Sequence, residues 1–208
     1  MNEFQQLLEQ ATEASATTNT KKYWLVRTDD GANYNTFSER SFVALNLQNF
    51  PIGFVNAARQ IENPRERLSA LKNSLMRLHQ QQPNLLSYDS TDSSYSSNMG
   101  RLASQISSIS LEMNRGDIVL IPSQGASVLK IGRIVDVDLA TDEAITRQFS
   151  FARKVEWIKE ISKRRLEANL YKALGAHQAI CDISKYANVI ERNYTSYFVI
   201  DDEYHYVL

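Results

Sequence analysis

The residues best placed to do chemistry are cations. Arg147, Arg153, Lys154, Lys159, Lys163, Arg164 and Arg165 crowd a span whose only acids are Glu156 and Glu160. A stripe of this kind beside a binding surface would track phosphates, and its affinity would fall steeply with salt as counterions are released. The competing reading is a solvated helix start with i,i+4 ion pairs, which stabilise little. Lys163-Arg164-Arg165 at a helix N-terminus works against the helix dipole, so a stability motive is weak there. Phosphate binding is therefore expected of Arg147, Arg153, Lys154, Lys163, Arg164 and Arg165.

Catalytic chemistry finds no comparable signal. The chain has no phosphate-cradling glycine–lysine–serine loop, no dinucleotide fingerprint and no serine nucleophile elbow, and its seven glycines leave little material for one. His79, His177 and His205 stand far apart, without a second ligand at metal spacing, and read as surface or packing residues. Asp201, Asp202 and Glu203 are consecutive acids on a turn, which point in different directions. Asp136 and Asp138 share a strand face, but no lysine at nuclease-like spacing follows them. The expectation is a non-enzymatic chain with no catalytic residues, no metal and no cofactor.

The bulk properties set wider bounds. A chain of 208 residues, 43% hydrophobic and 23% charged, fits one soluble domain with decorations. Its net charge of -1 excludes a uniformly basic nucleic-acid binder and leaves a locally basic face open. Cys181 is the only cysteine, so no intrachain disulfide can form. Met1-Asn2-Glu3-Phe4 lacks the basic start of a signal peptide, and no run approaches the roughly 20 apolar residues of a bilayer span. Cytoplasmic residence is expected.

The elements that must carry these residues are legible in outline. Phe4, Leu7, Leu8 and Ala11 give residues 1–20 a short amphipathic helix and a polar linker, suited to docking on the body or on another copy. Tyr23-Trp24-Leu25-Val26-Arg27 reads as a strand, Asp29-Asp30-Gly31-Ala32-Asn33 as a turn, and residues 41–47 as a second strand. Asn63-Pro64 opens a helix whose Leu68, Leu71, Leu75 and Leu78 recur at helical spacing. Residues 87–98 read as a Ser-rich loop and residues 100–113 as a helix. The Gly116-Asp117 pair opens the branched run Ile118-Val119-Leu120-Ile121-Pro122, and a second run around Gly132 follows, the pattern of a small curved barrel. Residues 149–157 read as a strand, residues 163–174 as a helix stopped by Gly175, and residues 179–183 as a short strand. The tail reads as a hairpin with an acidic turn, or as an extended piece that pairs only in a longer chain.

In order and spacing, the segments around Trp24, Gly31 to Phe37, Phe42 to Leu47, Gly116 to Pro122, Ile131 to Ile134, Arg153 to Trp157 and Leu174-Gly175-Ala176 resemble the EVE-like branch of the PUA-like domains. The likeness is nearest to the N-terminal specificity modules of Mrr-like and McrB-like modification-dependent restriction proteins. It implies an α+β chain: a twisted β-barrel flanked by helices over residues 21–192; the helical and Ser-rich segment at 61–98 is an insertion that exceeds a minimal domain of this kind. Residues 193–208 would form a C-terminal hairpin or begin a following segment. It also implies a base pocket, for which Trp24, Asn33, Tyr34, Phe37, Asn46 and Trp157 are the candidates. A tryptophan within a strand serves a core as readily as a cage, and asparagine in a turn often serves the turn itself. The family commonly carries a Gly-Trp pair where this chain has Asn46-Leu47, so one aromatic wall must come from elsewhere, with Tyr34, Phe37, Phe42 and Phe50 as substitutes.

The implied function is recognition of a modified or flipped nucleobase in nucleic acid, modified DNA foremost, with specificity delivered to a restriction or antiviral effector in cis or trans. Stacking on aromatic faces, about 1–3 kcal/mol per base, would offset the cost of extruding the base. RNA binding, as in other PUA-like domains, is one alternative. A nucleotide or protein sensor in antiviral signalling is another. Self-association through the N-terminal helix is the remaining partner expectation.

Overall fold

The structure, a computed structural model, describes residues 21–162, 164, 168–174, 178–194, 196–200 and 203–207. The expected N-terminal helix, Lys163, Arg165, the Gly175 cap, His177, Asp201 and Asp202 lie outside the described residues.

The fold is α+β, built on a curled six-stranded mixed sheet that forms a half-barrel with helices on both sides. Its strands are β1 (Tyr23–Val26), β2 (Phe42–Leu45), β3 (Ile118–Pro122), β4 (Val128–Ile134), β5 (Phe151–Ser162) and β6 (Ile180–Asp182), in the order β2-β5-β4-β3-β1-β6. Among the described residues only β1 and β3 of this sheet run parallel, with Trp24 opposite Val119, and its other pairings are antiparallel. The tail forms a separate antiparallel pair, β7 (Ser196–Ile200) with β8 (Glu203–Val207), in which Ser196 faces Val207.

The strands β1 and β3 read as unbroken apolar runs because both of their faces are covered. Trp24, Val26, Val119, Ile121 and Ile134 enter the larger core. Tyr23, Leu25, Ile118, Leu120, Leu129 and Ile131 enter a second core, shared with Leu170, Leu174, Ile183 and Ile190 from the C-terminal elements. Gly132 lies opposite Trp157, where the β4–β5 register shifts by a bulge. A Cβ at Gly132 would sit 2.6 Å from Trp157 Cε3 and 2.3 Å from Val155 Cγ1, so close side-chain approach demands glycine there.

Helices pack into the larger core. The helix α1 (Tyr34–Glu39) follows β1, where a loop was expected at Tyr34; at six residues it is too short to leave a periodic trace. A second unanticipated helix, α2 (Gly53–Arg59), precedes α3 (Pro64–Gln81). The start of α3 follows its sequence: Asn63 Oδ1 accepts the Arg65 N–H at 2.9 Å, and Pro64 occupies the first turn. Of the expected leucine stripe, Leu71 and Leu75 are fully buried while Leu68 stays partly open. The helix α4 (Tyr95–Ser107) starts inside the expected Ser-rich loop and ends in a π-helical turn, Ser108–Glu112. Next comes α5 (Glu143–Thr146); β5 then runs to Ser162, so the helix expected from residue 163 is described only as α6 (Ala168–Ala173). The last helix is α7 (Ala187–Tyr194). Among the described residues no helix is long and apolar enough to cross a membrane.

Candidate functional site

The hollow expected inside the sheet is occupied by the chain's own rings. Phe37 projects from α1 into a triangle with Phe42 and Phe149, centroids 5.0–5.5 Å apart, and Phe50, Phe54 and Phe151 form a second cluster. Two of the expected pocket aromatics are therefore corrected to core. Phe37 is 1% exposed; so is Trp24, whose indole N–H donates to Asp117 Oδ2 at 2.9 Å. The same carboxylate accepts the backbone N–H groups of Lys22 and Asn114, tying the start of β1 to the turn before β3.

Trp157 is half-buried. Its N–H donates to the Phe37 carbonyl at 3.3 Å, and the Lys130 ammonium lies 5.6 Å from its ring centroid. Lys130 also bonds Ser38 and pairs with Glu160 at 3.5 Å. Tyr34 joins that network by donating its hydroxyl to Glu160 Oε1 at 3.0 Å. Partial burial, then the neighbouring carboxylate, push the Tyr34 phenol up to about 12. Tyr34 and Trp157 thus staple α1 to the sheet. Asn33 precedes α1 without a side-chain capping bond.

The expected cationic stripe disperses. Arg153 is 0% exposed and donates to the Asp136 carbonyl at 2.6 Å and to the Ile109 carbonyl, so it faces the interior rather than a phosphate. Burial pulls its guanidinium below the usual range, against the raising effect of Asp136, Asp138 and Asp117. Arg147 pairs with Glu143 one helical turn earlier. Lys154, Lys159 and Arg164 are exposed, with Glu156 and Glu160 interleaved along β5.

What the fold does assemble is a polar cleft at the rim, where the chain leaves β1 and β2. A cleft of about 330 Å³ is lined by Arg27, Asp29, Asp30, Asn46 and Ala179. Its floor is fixed by the Arg27 N–H bonded to the Ala179 carbonyl and by Thr28 Oγ1 donating to the Pro122 carbonyl at 2.6 Å. Asp29, Asp30 and Gly31 take successive positive φ angles of 55°, 51° and 97°. Asp is among the few residue types that tolerate this conformation, yet two in a row still carry strain, a feature that clusters at binding sites.

The side chains there are oriented by one another. Arg27 donates to the Leu174 carbonyl and pairs with Asp30 at 3.3 Å, while the Asn46 amide donates to Asp29 Oδ2 at 3.2 Å. Two carboxylates against one guanidinium leave the cleft net negative. It therefore suits a ligand edge that presents N–H donors beside an acceptor, and it repels a phosphate. Of the sequence candidates only Asn46 lines it; Arg27, Asp29 and Asp30 carry strand and turn signals alone in the sequence. The available signal was Asp-Asp-Gly directly after a strand, where a sharp reversal needs left-handed backbone. Among the described residues no group of three His, Cys, Asp or Glu side chains is arranged to hold a metal ion.

Comparisons with protein-family models, curated proteins and solved structures found no match to this chain.

Proposed function

We propose that this chain is a non-enzymatic recognition module, PUA-like and EVE-like in type, that takes up one modified, extruded or single-stranded nucleobase and hands that specificity to an effector. The base sits in the rim cleft rather than inside the barrel. The observation that carries this reading is the convergence of Arg27, Asp29, Asp30 and Asn46 in a cleft of about 330 Å³, held by strained backbone. A carboxylate accepts from an exocyclic amine, and asparagine and arginine complete donor–acceptor pairs on base edges. The amino-bearing bases are therefore favoured over thymine or uracil. Lys154, Lys159 and Arg164, exposed elsewhere, supply the phosphate contacts.

The test is a binding panel of DNA and RNA oligonucleotides, single-stranded and duplex, carrying unmodified and modified bases at several salt concentrations. Each polar contact to a base edge is worth about 1 kcal/mol or more, so Asp29→Ala and Asn46→Ala should each weaken the preferred ligand by at least about fivefold. The reading is overturned if all bases bind alike, or if both variants bind as the parent does.

A further inference from the structure

Beyond Asn46, and sharing it as a wall, lies a second groove of about 500 Å³ between the segment after β2 and the turn Pro83–Leu85. Asn46, Gln48, Asn49, Asn84 and Tyr88 line it beside three leucines and Ser87, and no Asp, Glu, Lys, Arg or His does. Two features mark it as more than a surface irregularity. Tyr88 is 39% exposed, leaving a large ring open to solvent. Asn49 is held at a φ of 53°, directly before Phe50, whose N–H is fixed by Ser150 Oγ at 2.7 Å.

We infer that this groove takes the nucleoside next to the one in the rim cleft, so that the two together engage single-stranded nucleic acid. This rests on the recognition reading above. Carboxamides present donors and acceptors without a charge to desolvate, which matches the edge of any base. An exposed tyrosine offers a face on which any base can stack. With no cation in the lining, the phosphates must run along the outside, and the groove's share of the affinity is insensitive to salt. A duplex would have to unpair two adjacent bases to fill both clefts, and each costs a few kcal/mol. A single strand presents them at no such cost.

Calorimetric titration of the full chain with a mononucleotide, the dinucleotide and a duplex of related sequence tests this. The dinucleotide should bind about tenfold more tightly than the mononucleotide, and the duplex more weakly than either. Tyr88→Ala should erase the dinucleotide's advantage and Tyr88→Phe should keep it, both with unchanged circular dichroism. Equal affinity for mono- and dinucleotide overturns the inference, as does a Tyr88→Ala variant that retains the advantage. Mononucleotide binding that Asp29→Ala abolishes, with no gain from the second nucleotide, overturns this inference alone. If neither nucleotide binds, both readings fall.

Discussion

The rim cleft depends on a glycine, and a matched second glycine allows its role to be measured. Gly31 and Gly116 have nearly the same φ, 97° and 94°. Their surroundings differ: a Cβ at Gly31 would lie 2.4 Å from the backbone N and Cα of Gln124, whereas nothing lies within 4 Å at Gly116. Alanine at position 116 thus meets only the backbone penalty of positive φ, about 1–2 kcal/mol, reduced by about 0.4–1 kcal/mol through the stiffer unfolded chain. Alanine at position 31 meets the same penalty plus an overlap with backbone that cannot swing aside, about 1–3 kcal/mol more. Gly31→Ala should therefore cost about 2–4 kcal/mol and Gly116→Ala about 1 kcal/mol. For a chain of this size each kcal/mol lowers Tm by about 2–4 °C. Urea unfolding of the two variants beside the parent gives both values. If the two variants lose equal stability, the contact between the Asp29–Gly31 turn and the segment after β3 does not constrain the turn.

Two further outcomes follow from other parts of the structure. Asp117→Ala leaves the N–H groups of Lys22, Asn114 and the Trp24 indole without their acceptor, at roughly 1–3 kcal/mol for each buried donor. Chemical denaturation should show a loss of about 3 kcal/mol or more; a loss under about 1 kcal/mol would mean that water replaces the carboxylate. For Tyr34, the folded phenol titrates near 12 against an ordinary value of 10.0, so its contribution is complete below pH 10. As pH rises from there the unfolded chain ionises first, and stability falls up to about pH 12. Tyr34→Phe should flatten that limb of the stability profile, and a profile identical to the parent's would remove the Glu160 bond from the account.

Local chemistry in the sequence determined most of the elements. Bulky and branched runs gave β1 to β4, Gly116-Asp117 gave the turn into β3, and Asn63-Pro64 gave the start of α3, because each depends on neighbours within a few positions. The side of the sheet that each residue faces was a different matter. Strands covered on both faces do not alternate, so Trp24 carries no mark of its orientation and the aromatic residues after β1 did not reveal whether they lined a hollow or filled one. Arg153 is unmarked in the same way: its type predicts exposure, and only the curl of the sheet against the π-helical turn buries it. The rim cleft is likewise a product of tertiary structure. Asp29 and Asn46 belong to separate strand ends, and their meeting is set by how far the sheet curls, which no short window of residues encodes.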